Sequence, residues 1–229
     1  SNVTFQLLRS GTFDTELEDN NAVSDVTFSS SGTSATVNDG NYQMDLPATT
    51  NTTATAAFGS NSFDDRTGLN IYNPLNATFT TPASGNASTV YISELSTLAS
   101  SVDNLSTLSQ INTKFEHIDI PNEGTDIASY DGTNDASVQK LNMQIASLKQ
   151  FMETWLIKKF SMSSTDAEAK AKKAFEVFIK LEGTIDITDS GDLSNYLRPE
   201  LLAQLTTEQL NSLSVADKNA FVTFSGIDS

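Results

Sequence analysis

V-Y-I-S-E-L-S-T-L-A, residues 90–99, is where the chain changes its period. Val90 and Ile92 alternate with Tyr91, as in a half-buried strand. Leu95, Leu98, Val102 and Leu105 instead fall three, four and three apart, which gathers them on one face of a helix. Ser93 stands between the two patterns, where an N-cap hydroxyl belongs. A strand on one side of Ser93 and a helix on the other divide the sequence into residues 1–92 and residues 93–229.

Toward the N-terminus the pattern is short strands between Gly, Asn and Asp clusters. Val3, Phe5 and Leu7 alternate with polar neighbours, and Val26 and Phe28 flank Thr27. In V-N-D-G-N-Y-Q-M-D-L-P, residues 37–47, Asp39-Gly40 supplies a turn and Tyr42, Met44 and Leu46 share a face, which predicts a hairpin. Further strands are predicted over residues 53–58, 69–72, 77–80 and 89–92. Strands at such spacing point to an antiparallel β-sandwich over residues 1–92.

Toward the C-terminus everything reads as helix. One helix is predicted over 93–115, then a loop rich in Asp, Gly, Asn and Thr over 116–135. A helical hairpin follows over 136–183. Its first arm carries Val138, Leu141, Ile145, Leu148, Met152 and Trp155 in one stripe, and its second carries Ala171, Phe175 and Phe178. Residues 190–224 form a ladder of short helices. An eight-residue spacing recurs at Leu197, Leu205 and Leu213, with Thr206 and Ser214 at N-cap positions and Pro199 in a first turn. The fold class predicted is therefore α+β, an N-terminal antiparallel sandwich with an all-helical C-terminal region.

Composition narrows the function. The 229 residues carry 29 acidic and 13 basic side chains, a formal net charge of -16. Such a charge repels phosphate backbones and anionic lipid headgroups, so neither nucleic acid nor direct membrane insertion is expected. Cysteine is absent, which removes disulfides, thiolate nucleophiles and cysteine-ligated metals. Serine and threonine make up about a quarter of the chain, a polar tone that suits a secreted or surface-displayed protein. No apolar run is long enough for a signal peptide or a membrane span, so an exported form is expected to have lost its signal.

The hairpin V-N-D-G-N-Y-Q-M-D-L-P resembles the D-G-x-Y-x-L-x-L-P strand pair of carboxypeptidase regulatory-like domains of bacterial surface proteins. D-D-R-T-G-L-N at residues 64–70 and V-Y-I-S-E-L-S-T-L-A are similar to the loop and the strand-to-helix junction that follow it in a subset of them. The resemblance covers residues 20–105. It implies an immunoglobulin-like or prealbumin-like sandwich and a non-catalytic role in adhesins, extracellular filaments or transport accessory proteins.

The residues that could carry chemistry point to a non-enzymatic protein. His117 is the one histidine, at the end of a predicted helix, and no G-x-S-x-G elbow accompanies it. It reads as incidental. The acids Asp14, Glu16, Glu18 and Asp19 read as a solvated face, and no phosphate-cradling glycine loop occurs. Calcium is the one ion to weigh. D-I-T-D-S-G-D-L-S-N-Y-L places Asp186, Thr188, Ser190 and Asp192 in an EF-hand-like frame, but Leu197 stands where the bidentate Glu belongs, so the loop reads first as a capped helix start. The Asp64-Asp65 turn is a similar oxygen-rich candidate.

Charge is unevenly spread. Residues 140–180 hold eight basic and four acidic residues, a balance of +4, which leaves -20 elsewhere. Lys158, Lys159, Lys170, Lys172 and Lys173 therefore suggest head-to-tail contact with the acidic part of a second copy. The first strand, with Val3, Phe5 and Leu7, suggests strand addition to a neighbour's sheet. The expected function is an extracellular structural or adhesive protein that self-assembles as an oligomer or polymer, or joins other surface or matrix components. A carbohydrate- or peptide-binding surface domain, and a hydrolase with an unrecognised carboxylate site, are the alternatives.

Overall fold

In the computed structural model, side chains are described for residues 29, 45–56, 74–121, 124–132 and 135–219, and strand backbone alone within 2–44, 57–58, 63–64 and 69–70. The strands are β1 (Asn2–Arg9), β2 (Thr12–Phe13), β3 (Val23–Phe28), β4 (Thr33–Asn38), β5 (Asn41–Asp45), β6 (Asn51–Phe58), β7 (Phe63–Asp64), β8 (Leu69–Asn70), β9 (Leu75–Thr80) and β10 (Ala87–Ile92). The helices are α1 (Glu94–Ser101), α2 (Leu108–Lys114), α3 (Ala136–Phe160), α4 (Ser164–Ile179), α5 (Ser190–Asp192), α6 (Arg198–Leu202), α7 (Thr207–Ser212) and α8 (Val215–Lys218).

The predicted fold class requires correction. Among the described residues no antiparallel immunoglobulin-like sandwich is evident: helices account for 53% of the residues with described side chains, and three strands, β6, β9 and β10, fall among them. Of these, β6 and β9 form a small antiparallel sheet. β10 pairs instead with β1, and that pairing is parallel. Alternation identifies which residues are extended, but strand neighbours and their direction depend on contacts distant in sequence, which period alone does not encode. The backbone of β4 and β5 does form the hairpin read around residues 37–47, with Asn38 opposite Asn41.

The chain divides into two compact units, residues 1–112 with 119–143, and residues 113–118 with 144–229. Ser93, where the period changes, lies inside the first. There β9 buries alternate residues, Leu75, Ala77 and Phe79, and exposes Thr80. Ser93 caps α1 in a reciprocal capping box with Ser96. Helix α1 runs along the free edge of β9, and its hydroxyls take the place of a neighbouring strand. Asn76 N–H donates to Thr97 Oγ1 at 2.8 Å, Thr78 N–H to Ser100 Oγ at 3.0 Å, and Ser96 Oγ donates to Asn76 O at 2.7 Å. Covering a strand edge with a helix satisfies its backbone groups and blocks unwanted pairing.

The helix predicted over 93–115 is two helices. α1 ends at Ser101, Val102 is extended, and Asn104 takes a positive φ of 64° before α2 begins. Val102 and Leu105 are nevertheless buried, so the apolar spacing that read as one face is met partly by a turn. Further along, Asn142 of α3 accepts from the N–H of Leu95 at 2.8 Å, satisfying a donor in the first turn of α1.

In the second unit α4 starts at the Ser163 cap and buries Ala167, Ala171, Ala174, Phe175 and Phe178. Its small residues allow close approach, and it packs against α6 and the π-helical turn at Leu193–Leu197. That turn has a cause. Pro199 has no N–H to give the carbonyl four residues back, and Arg198 N–H donates five residues back to Leu193, which widens the turn just ahead of the proline. The leucines of the eight-residue repeat, Leu197, Leu205 and Leu213, all point inward, and Thr206 and Ser214 both form capping boxes. On α3 the buried stripe runs through Met152 and then passes to Leu156. Trp155 is only half-buried and meets Phe160 edge-on, with centroids 5.6 Å apart.

Candidate functional site

Within the second unit, residues 113–118 are stapled to residues 181–186. A parallel bridge joins Phe115 to Ile185, with Ile185 N–H donating to Lys114 O at 2.8 Å and Glu116 N–H to Ile185 O at 2.9 Å. Phe115 and Ile185 are both buried, so apolar burial holds the two segments in register. Thr184 Oγ1 donates to Thr113 O, and the Lys114 ammonium donates to the carbonyls of Leu181 and Gly183 beyond the end of α4. A cation at a helix C-terminus is favourable with respect to both hydrogen bonding and dipole. Desolvation on burial holds the Lys114 pKa below its usual value.

The next residues on both sides of this staple bring three ligand-bearing side chains together. Glu116, His117 and Asp186 place a carboxylate oxygen, an imidazole nitrogen and a second carboxylate oxygen within 4.8 Å of one another. His117 Nε2 lies 3.6 Å from Asp186 Oδ2 and 3.9 Å from Glu116 Oε2. Two further features shape the group. His117 has a φ of 60°, the left-handed region, which turns the chain sharply after Glu116. Asp186 is oriented through its other oxygen, since Oδ1 accepts from Thr188 N–H at 2.8 Å and from Thr188 Oγ1 at 2.6 Å. Its Oδ2 is left facing the imidazole.

These three residues form a group that could hold a metal ion. An ion bound tetrahedrally at about 2.0 Å separates its ligand atoms by about 3.3 Å. The two imidazole–carboxylate gaps need to close by about 0.3–0.6 Å, within the reach of side-chain rotation at a surface where His117 is 73% exposed.

The sequence-predicted residues are placed as follows. Asp186 belongs to the group just described. Thr188 positions it, Asp192 Oδ2 accepts the N–H of Asp186 at 2.9 Å, and Asp192 N–H donates to Asp189 Oδ1 at 2.9 Å, which makes Asp189 the cap of α5. Ser190 is the first residue of that helix. The loop is thus a capped helix start, in which one oxygen each of Asp186, Asp189 and Asp192 accepts a backbone N–H of the loop itself. Glu116 was not singled out from the sequence, and His117 was read there as incidental. Nothing in their spacing relates them to Asp186, and only the Phe115–Ile185 bridge brings them there.

Of the self-association candidates, Val3, Phe5 and Leu7 lie on β1, whose backbone pairs with β10 on one side and β5 on the other. Strand β1 is therefore not an open edge, and the side chains lie outside the described residues. Lys159 is 2.6 Å from Asp217, and Lys170 Nζ donates to Gln204 O, so both serve bonds inside the second unit. Lys158 and Lys173 are exposed and Lys172 half-buried. The acids Asp14, Glu16, Glu18 and Asp19 and the side chains of Asp64 and Asp65 lie outside the described residues.

Comparison with known proteins found no matching family model, no similar curated protein and no similar solved structure.

Proposed function

We propose that this chain is a non-catalytic extracellular structural or adhesive protein that associates with further copies of itself, and that its second unit takes a divalent ion. The observation that carries the reading is the use made of its many hydroxyls and carboxylates. Ser93, Ser163, Thr206, Ser214 and Asp189 each cap a helix, and Ser96, Thr97 and Ser100 hold the edge of β9. Side chains committed in this way stiffen a scaffold. With two of the five candidate lysines engaged internally, the association surface centres on Lys158, Lys172 and Lys173, facing the acidic surface of a second copy.

The ion is of the zinc type. Calcium takes oxygen ligands alone, whereas an imidazole nitrogen beside two carboxylates suits a borderline divalent cation. Bound at Glu116, His117 and Asp186, it would add a coordinate link to the staple between residues 113–118 and 181–186.

Sedimentation velocity at low and high salt tests the association, which is expected in the first and lost in the second as charges are screened. A monomer under both conditions overturns it. Thermal unfolding with added zinc or calcium tests the ion. Zinc should raise the transition of the second unit, calcium should not, and the effect should vanish in His117→Ala. A zinc effect that survives in that variant, or none in the wild type, refutes the metal reading.

A further inference from the structure

We propose that the open part of the β9 edge binds an extended peptide carrying a lysine or arginine, by strand addition.

Ladder parity fixes the direction of each backbone group on β9. Thr81 N–H donates to Thr50 O at 2.9 Å, and Asn51 is opposite Thr80, Thr53 opposite Thr78 and Thr55 opposite Asn76. In an antiparallel pair the bonded positions alternate. Asn76, Thr78 and Thr80 therefore direct their N–H and C=O groups away from β6. The hydroxyls of α1 meet Asn76 at both groups and Thr78 at its N–H. Ser100, which meets Thr78, is the penultimate residue of α1, so the helix ends before it can serve the next position. The carbonyl of Thr78 and both backbone groups of Thr80 have no hydrogen-bond partner among the described residues. They form a short stretch of uncovered edge, one residue pair long, beside an exposed Thr80.

A cavity of about 330 Å³ lies against this stretch. That is at the small end of ligand pockets, room for a short segment rather than a long one. Ser100 and Ser106 line it along with Thr78 and Thr80, and Asp126 and Ile127 complete its wall. Those two residues open a 3-10 turn, Ile127–Ser129. The wall supplies both kinds of contact that an added strand uses. Phe79 and Ile127, both largely buried, leave a narrow apolar strip for one side chain, and Asp126 offers charge to another.

Asp126 decides the chemistry of the occupant. Its Oδ1 caps the 3-10 turn by accepting from Ala128 N–H at 2.8 Å, which fixes the carboxylate in place and leaves its second oxygen available. No basic residue lines the cavity. An extended segment whose backbone pairs with Thr78 and Thr80 brings alternate side chains toward the wall, and a cationic one meets Asp126. A partner of opposite charge is favoured further by the net charge of -16, which disfavours a second copy in this position.

The test uses two acetylated and amidated peptides, Thr-Val-Lys-Val-Thr and Thr-Val-Glu-Val-Thr, titrated into the full chain and followed by amide NMR. The lysine peptide should shift the amides of Thr80 and Ala128, with weak affinity of about millimolar. The glutamate peptide should bind at least about fivefold more weakly. Asp126→Asn keeps the oxygen that caps Ala128 and should lose about fivefold for the lysine peptide alone. Thr80→Pro removes an edge donor that makes no bond to β6, and should abolish binding by both peptides. Equal affinity for the two peptides, or shifts that leave Thr80 unmoved, would overturn the proposal. So would unchanged binding to Asp126→Asn.

Discussion

Replacing Thr97 by valine removes one hydroxyl and leaves the side-chain shape nearly intact. Thr97 is 4% exposed, and its Oγ1 accepts from Asn76 N–H at 2.8 Å and donates to Ser93 O at 2.7 Å. The losses are unequal, and the Asn76 carbonyl, 3.3 Å from the same hydroxyl, keeps that of Ser96 at 2.7 Å. Ser93 O retains the N–H of Thr97 at 2.9 Å and the hydroxyl of Ser96 at 3.1 Å, so it keeps its partners. Asn76 N–H points away from β6 and would be left against the wall of α1 without an acceptor. One orphaned, part-buried donor costs about 1–3 kcal/mol. Thr and Val have similar helix propensity, so little else changes in α1. A loss of about 2 kcal/mol corresponds to a fall of about 4–8 °C in the transition of the first unit. Thr97→Ser retains the hydroxyl and should lose far less. Hydrogen exchange supplies the local readout, since the Asn76 amide should exchange faster in Thr97→Val and remain protected in Thr97→Ser. Capping of the β9 edge by Thr97 is refuted if Thr97→Val stays within about 0.5 kcal/mol of the wild type with Asn76 still protected.

Two other perturbations probe different contacts. Gly132→Ala would place a methyl group 2.4 Å from Cγ1 of Val138, a buried residue, so it should destabilise the first unit by about 1–3 kcal/mol in chemical unfolding. The Lys159 ammonium, then the Ser214 hydroxyl and N–H, lower the Asp217 pKa from its ordinary 3.8 to about 2. Because the folded value lies below the unfolded one, the stabilisation is present above pH 3.8 and lost as the pH falls toward about 2. An NMR titration of the Asp217 carboxyl should show this midpoint and show it moving upward in Lys159→Met.

Local structure was the part most readable from the amino-acid order. The N-caps at Ser93, Thr206 and Ser214 follow from contacts spanning a few residues and are present as read, and the leucines that mark the eight-residue spacing, 197, 205 and 213, are buried. The stripe on α3 is correct until Met152. Beyond it, a helix of 3.6 residues per turn drifts, and Leu156 rather than Trp155 meets the core. The break after Ser101 was hidden because a turn and a helix can bury the same leucines and valines.

The candidate site divides in the same way. The order of residues singled out Asp186 and the loop that orients it, since an Asp two residues before Thr forms its turn locally. It gave no reason to join Glu116 and His117 to that loop. Nor could it show that β1 lies between two strands, that β10 pairs with it in parallel, or that α1 stops one residue short of covering β9. Period and capping are short-range and written in neighbouring residues. Strand partners, the Phe115–Ile185 bridge and the uncovered edge at Thr80 exist only once distant segments have packed, and the tertiary structure alone decided them.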